Sequence, residues 1–476
     1  MGSRVILPET YEVLKRRYPA FNTTPAYTRM TDYLLFGLNN VEEDSKAMLV
    51  DQFTLAQMEG KSAKAASRNY AGHTFLESYR RDVASFAVQE YRFTAGRARI
   101  MQPDWEPEVV SALKAELYAP PTMRKARGVL LETGRAPSRQ HLARRTSAVR
   151  KARIEALVTQ VPADHPARDL LLFLNAQPTA ALRRMVHRNL DAAHSLAATL
   201  PDRSWQTRLY NLKLLHSIEQ DEVPLYQPSR EGRTARIFGI GPTYLMLSRP
   251  VRQQLLTGCT EFDLRAAQLA LVAHQWNAVL LQEKLVRGGI DIWYVLAAAA
   301  GINPEVHRDL LKRAVYSLIY GKNEQALKQD LSAGIGLHAG IKRHQAQALM
   351  KSPLIRELVQ CRAVRLRAIN TAGHLTTIFG KTVRLSPQRM APSLLAEELQ
   401  ALELAVLLPA FSYIQAQQQR RGELHVAAWQ HDGFTLHCTD RTKLETHTRQ
   451  LQRLVRRQLK HLGLPRLTML VSKTLE

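Results

Sequence analysis

The segment from Asn303 to Gly321 restricts this chain more than any other. Asn303 can accept an orphan N–H at a helix start, and Pro304 lacks a donor that a first turn would leave unsatisfied anyway. Gly321 is a stop. Between them stand Arg308, Lys312, Tyr316 and Tyr320, each four residues from the next. Each step of four overshoots a full turn by only about 40°, so the four share one gently winding face. Two cations followed by two rings can hold a triphosphate at one end and stack a base at the other. The plainer alternative is an amphipathic helix whose tyrosines enter the core while Arg308 and Lys312 stay wet. The complete pattern arises by chance in roughly one chain in several thousand at average residue usage.

The rest of the composition narrows the field. The 476 residues suffice for roughly three domains. With 45% hydrophobic residues, a packed core forms and global disorder is excluded. A net charge of +24 implies a polyanionic partner, nucleic acid before an anionic membrane surface. No run approaches the ~18 apolar residues of a membrane span, and Met1 to Pro8 lacks a secretory apolar segment. Cys259, Cys361 and Cys438 form neither a disulfide framework nor a metal motif. A reducing, cytoplasmic setting is expected, with no membrane partner.

Along the chain, residues 1–120 read as mostly helical, broken near Pro19 to Pro25 and at Gln102 to Pro107. Residues 124–153 are a charge run, from Arg124 and Lys125 to Lys151 and Arg153, against the single acid Glu132. This run reads as a solvated or phosphate-contacting basic face, and Ser138 to Leu157 also fits a helix-turn-helix pattern. Residues 156–222 carry helical periodicity, with Leu170, Leu171, Phe173 and Leu174 and later Leu209, Leu212 and Leu215, and antiparallel helices are expected. Strand-like runs begin near Leu225.

Two aspartates stand in suggestive contexts. Asp263 lies in Glu261 to Gln268, a strand signal that runs into an apolar helical stretch. Asp432 precedes Gly433 between two strand-like runs, which is a hairpin signal that puts Asp432 near a tip. Alone, each is more simply a cap or a turn. Asp263 precedes Arg308 by 45 residues and Asp432 by 169.

In order, spacing and residue type, these three segments resemble the fingers helix and the two carboxylate motifs of family A DNA polymerases, the bacterial DNA polymerase I type. They are also similar to the related single-subunit phage RNA polymerases. The resemblance covers about residues 225–476. It implies an α+β right-hand fold with an antiparallel palm sheet, helical fingers and a helical thumb, preceded by a basic helical N-terminal region. The implied boundaries are 1–155 for that N-terminal region, 156–224 for thumb-like helices, 225–275 and 365–476 for the palm, and 276–364 for the fingers. It further implies nucleotidyl transfer from dNTPs to a primer 3′-hydroxyl on primer–template DNA, with other replication proteins as further partners. Two Mg²⁺ ions, replaceable by Mn²⁺, would be held by Asp263, Asp432 and the Leu264 backbone carbonyl, with Lys312 as a catalytic cation.

Residue by residue, the same resemblance assigns Arg308, Lys312, Tyr316, Tyr320 and Gln268 to the nucleotide. Arg236, Gln400, His431, Arg384 and Gly321 are assigned to nucleic acid. Arg236 lies in a Gly232 to Ile237 segment like the family's Thr-Gly-Arg-Leu, and Gly373 to Gly380 looks like the strand-turn after the fingers. The helix from Glu397 to Leu408 resembles one that carries a DNA-contacting glutamine. Departures are clear. Gln268 replaces a glutamate that in relatives obstructs a ribose 2′-hydroxyl and bonds the tyrosine aligned with Tyr320. Gly433 replaces an acid, Trp293 a phosphate-contacting histidine, and Tyr316 a common phenylalanine. No early Asp-x-Glu carboxylate set is evident, so proofreading is not expected. The alternatives are a ribonucleotide-accepting RNA polymerase or primase-like enzyme, and a DNA-binding initiator with an inactive polymerase body.

Overall fold

The computed structural model describes residues 5–17, 48–51, 86–93, 96–103, 107–131, 133–137, 150–157, 159, 161–200, 205–221, 223–229, 234–240, 243–286, 291–334, 340–464 and 468–476. Its architecture is α+β, rich in helix, with small antiparallel sheets.

The first elements are β1 (Val5–Ile6), α1 (Pro8–Arg17), β2 (Met48–Asp51), β3 (Phe86–Phe93), β4 (Gly96–Pro103), α2 (Pro107–Tyr118), α3 (Pro121–Arg127) and β5 (Val129–Leu130). Strand β1 pairs with β5, and β2, β4 and β3 form a three-stranded antiparallel sheet. That sheet corrects the expectation of a mostly helical 1–120. Phe86, Val88, Tyr91 and Phe93 are aromatic or β-branched side chains, which fit a pleated surface better than a helix. Pairing with β4 along the whole of β3 then satisfies the backbone.

The basic run is corrected at its first member. Arg124 is 2% exposed. Its guanidinium bonds Glu219 at 2.8 Å and donates to the carbonyls of Glu116 and Ala119 at 3.1 and 2.6 Å. It is therefore an internal tie, and no solvent-facing phosphate contact. Residues 138–149, with Arg139, Arg144, Arg145 and most of the helix-turn-helix reading, lie outside the described residues.

Next come α4 (Arg168–Ala176), α5 (Ala180–Ala198), α6 (Trp205–Asp221), β6 (Leu225–Pro228), β7 (Ile237–Ile240), α7 (Arg249–Leu255) and β8 (Thr260–Leu264). The expected helices over 156–222 are present. Leu170, Leu171 and Leu174 of α4 join the same buried cluster as Phe262 and Leu264 of β8, so α4 shares a core with the sheet below. Helices α5, α6 and α7 build a second cluster that includes Ala427 and Ala428.

The remaining elements are α8 (Ala267–Gln275), α9 (Val279–Val286), α10 (Ile292–Ala300), α11 (Pro304–Ile319), α12 (Glu324–Ala333), α13 (Arg343–Lys351), α14 (Pro353–Ala372), β9 (His374–Thr376), β10 (Thr382–Arg384), α15 (Ala391–Arg421), β11 (Leu424–Trp429), β12 (Gly433–Cys438), α16 (Leu444–His461) and β13 (Leu470–Thr474). Strands β9 and β10 form the expected strand-turn. Helix α14 runs unbroken across the anticipated 364/365 boundary, because Pro353 opens it and Gly373 (φ 72°) closes it, with no breaker between.

The sheet that matters is four-stranded and fully antiparallel, in the order β11-β12-β8-β13. Along β8 burial alternates strictly: Thr260, Phe262 and Leu264 point into the core, while Glu261 and Asp263 point out. Phe262 stacks on Phe434 of β12 at 5.1 Å between ring centroids, and Phe434 stacks on Trp429 at 5.8 Å. These aromatic cross-strand pairs pin the register. A slip of one residue would turn Asp263 into the core. Among the described residues no helix is long and apolar enough to cross a membrane.

Candidate active site

The register delivers the two aspartates to one place. Gly433 lies opposite Asp263, and the Leu264 N–H donates to the Asp432 carbonyl at 2.9 Å. Asp432 ends the short link between β11 and β12, closed by the Gln430 N–H donating to the Gly433 carbonyl at 2.9 Å. The hairpin expectation holds, with Gly433 already in the strand. A Cβ at Gly433 would sit 2.1 Å from the Phe262 carbonyl oxygen. The acid missing at this position therefore has no room, because the β8 backbone occupies its space.

Asp263 keeps a solvent-open surface. Even so, the surrounding walls desolvate its carboxyl and the Asp432 charge repels its ionised form, together pushing its pKa up to about 7; Lys312 pulls the other way. Immediately after β8, Ala266 adopts a left-handed conformation (φ 50°, ψ 39°) at the start of α8. For a residue with a Cβ this stores roughly 1–2 kcal/mol, and it turns the chain sharply enough that Gln268 enters the helix fully buried.

Helix α11 forms as its caps predict. The Asn303 side chain accepts from the Glu305 N–H at 2.8 Å, Pro304 follows, and Tyr320 with Gly321 (φ 106°) ends the helix. Leu310, Leu311, Ala314, Val315, Leu318 and Ile319 bury the opposite face. The stripe itself is graded: Arg308 and Lys312 are exposed, Tyr316 and Tyr320 half-buried. It borders the carboxylates. Lys312 acts on the charge of Asp263, and both aspartates act on Tyr316. The Lys312 ammonium lies 5.8 Å from the Tyr316 ring centroid, and that ring meets Trp293 edge-on at 5.9 Å. Burial pushes the Tyr320 hydroxyl up to about 12 and Tyr316 further, so both rings stay neutral.

Below the rings lies a buried polar cluster that no motif announced. Glu403 of α15 is 1% exposed and bonds Arg236 through the guanidinium Nε and Nη2 at 3.1 and 2.9 Å. Gln268 Nε2 donates to its other oxygen, and Arg236 Nη2 donates to the Tyr320 hydroxyl at 3.4 Å. Burial drives the Glu403 carboxyl up to about 7, while Arg236 opposes the shift. Elements distant in sequence thus hold Tyr320 from beneath. The one available signal was a lone acid within the apolar run from Leu402 to Leu408. Gln400, the anticipated α15 residue, stands three residues earlier with its Oε1 buried and unpartnered.

Elsewhere, His431 packs edge-on against Phe238 at 5.1 Å, and burial with the Arg236 charge lowers its pKa to about 4. It is a neutral ring at the same rim. Arg384 is exposed at the end of β10. Gly321 faces Pro392, where a Cβ would lie at 2.8 Å. Arg308 pairs with Asp291 at 2.6 Å, and Asp291 also caps α10 by accepting from the Trp293 N–H at 3.1 Å. Among the described residues no group of three or more His, Cys, Asp or Glu side chains is placed to hold a metal. What the site offers is two carboxylates and backbone carbonyls, the hard oxygen donors that Mg²⁺ accepts when waters complete its shell.

No protein-family model and no curated protein sequence matches the chain. Among solved structures it is similar to the polymerase domain of Pol1 from M. smegmatis, in a complex with DNA primer–template and dNTP. The two share 13% identity with a TM-score of 0.44, over 77% of this chain and 72% of that one.

Proposed function

We infer that the protein is a template-directed DNA polymerase that transfers nucleotidyl groups from dNTPs to a primer 3′-hydroxyl. One observation carries the reading: Asp263 on β8 and Asp432, the residue before β12, are remote in sequence yet meet where the two strands pair, beside the cationic and aromatic stripe of α11. Two carboxylates brought close enough to repel each other fit a divalent cation better than a structural partner. Asp263, Asp432 and the Leu264 carbonyl would hold two Mg²⁺, or Mn²⁺ in their place. When bound, the ions would activate the attacking hydroxyl and neutralise the triphosphate and its leaving group.

The chain's own groups divide the remaining work. Lys312 and Arg308 bind the triphosphate, as a point charge and as a forked donor. Tyr316 gives the base an apolar face, and Tyr320 with Gln268 borders the sugar. Arg236 and the neutral His431 ring face the primer–template minor groove and terminus, while the space beside Gly321 is taken by Pro392 and not by a strand. Gln400 and Arg384 contact the strands further out. Proofreading is not part of the proposed activity. Ribonucleotide use is the second reading, favoured by the uncharged Gln268, which is committed to Glu403.

Primer extension with dNTPs alone, rNTPs alone, and no primer tests both readings. Extension by dNTPs on a primed template is expected. Incorporation confined to rNTPs would replace the DNA reading by the RNA one. Template binding without incorporation of either would leave the initiator.

A further inference from the structure

Beside the carboxylates, on the far side of β8, lies a second concavity of about 680 Å³. Its walls come from the start of α10 and α11, from α16, and from β13, the edge strand that pairs with β8. Val471 in its floor lies directly opposite Asp263 in the register, so the space begins one strand away from the aspartate pair. Three guanidiniums line it: Arg265, Arg308 and Arg456. Asp291 neutralises Arg308. Arg265 and Arg456 have no carboxylate partner among the described residues.

These two arginines are held on rigid supports. The Arg265 N–H donates to the Met469 carbonyl at 3.0 Å, and its own carbonyl accepts from Thr468 Oγ1 at 2.6 Å. Arg456 stands on α16 between the buried anchors Val455 and Leu459. The remaining wall mixes apolar Leu285, Ile292 and Leu470 with polar Gln452, Thr468 and Ser472. Both guanidiniums are exposed on one concave wall, and their fields add there, so together they attract an anion more strongly than either does alone. A volume within the range of small-molecule sites suits a compact ligand better than a strand of nucleic acid.

We propose that this concavity binds inorganic pyrophosphate through Arg265 and Arg456, with Arg308 on the wall it shares with the α11 stripe. Naming pyrophosphate rests on the polymerase reading above. In nucleotidyl transfer a bond forms from the primer 3′-oxygen to the α-phosphorus and the α–β anhydride breaks, so pyrophosphate departs with the bridging oxygen. It departs at the Arg308 end of the α11 stripe, and Arg308 also lines the concavity. Arg308 then serves the triphosphate before the reaction and the leaving group after it, exchanging its bond to Asp291 for a phosphate oxygen.

Two measurements on the full chain test the proposal. In equilibrium titrations with inorganic pyrophosphate, Arg456→Ala and Arg265→Ala should each weaken binding five- to twentyfold, and Arg456→Lys should restore part of it. In primer extension, the same variants should raise the pyrophosphate inhibition constant by a similar factor while the dNTP KM shifts less than twofold. Unchanged pyrophosphate affinity in both variants would overturn the site. So would a dNTP KM that rises in step, since the arginines would then serve the triphosphate, or equal weakening in wild type by chloride at matched ionic strength. Arginine-dependent pyrophosphate binding by a protein that extends no primer would uphold the site and remove the polymerase reading.

Discussion

The two walls that meet at the candidate active site are built in opposite ways. The α11 wall is local. Nineteen consecutive residues supply its cap, its stop, its buried face and its graded stripe. The sheet wall is assembled at long range: Asp263 and Asp432 meet only because β8 and β12 pair, and Tyr320 is held only because Arg236, Gln268 and Glu403 converge. A local wall tolerates single changes with graded losses, because each stripe residue acts from a helix that forms without it. A long-range wall fails more steeply, because each member supports several others.

The sharpest way to break the comparison is at the carboxylates. Asp263→Ala or Asp432→Ala should lower primer extension at least about a thousandfold, about 4 kcal/mol of transition-state stabilisation. Primer–template affinity should stay nearly constant in both, since it rests on phosphate contacts. Residual turnover near the wild-type rate would show that the sheet wall carries no chemistry.

Glu403→Ala removes the buried partner of Arg236 and Gln268 and should cost about 3–5 kcal/mol of stability in denaturant unfolding. Glu403→Gln should cost less while still loosening Tyr320. A Glu403→Ala protein as stable as the wild type would mean the cluster is not holding that wall together.

The sheet wall should also respond to acid. Burial first, then His425, Arg188, Arg441 and Arg184, lower the pKa of His437 to about 4. A histidine with a depressed folded-state pKa binds its proton more readily when unfolded. Its contribution is therefore intact above about 6.5 and is lost as the pH falls toward 4, by at most about 3 kcal/mol. Asp263 and Glu403, raised to about 7, change in the opposite sense across that window in wild type and variant alike. The His437 contribution is therefore read as a difference: toward pH 4 the wild-type denaturation midpoint should fall relative to that of His437→Gln. An identical slope in the variant would assign the acid sensitivity elsewhere.

The smallest expected effect belongs to the helical wall. Lys312→Ala should raise the dNTP KM roughly tenfold, about 1.4 kcal/mol, with unfolding unchanged. A loss of stability as large as that of Glu403→Ala would erase the contrast between the two walls.

Legibility in the sequence follows the same division. The helix from Asn303 to Gly321 and the β11–β12 hairpin were readable because caps, breakers and Asp-Gly act within a few residues, whereas the strand-turn at Gly373 to Gly380 was expected only from the family resemblance. The N-terminal sheet was missed. Its Phe86–Phe93 strand lies beside helical stretches, and periodicity alone does not settle so short a run. Arg124 looked like one more solvent-facing cation, and only its burial against Glu219 shows otherwise. Glu403 carried no motif, because a single acid in an apolar helix acquires meaning only from what packs against it.

The order of residues alone determined which chemical groups exist and which lie on a common local face, since helical and strand periods are properties of the backbone. Tertiary structure decided which distant groups touch: that Asp263 and Asp432 are neighbours, that Gly433 leaves no room for an acid, and that Glu403 holds Arg236. The reason is physical. Strand register and buried ion pairs depend on the whole core closing at once, and no local run of residues contains that information.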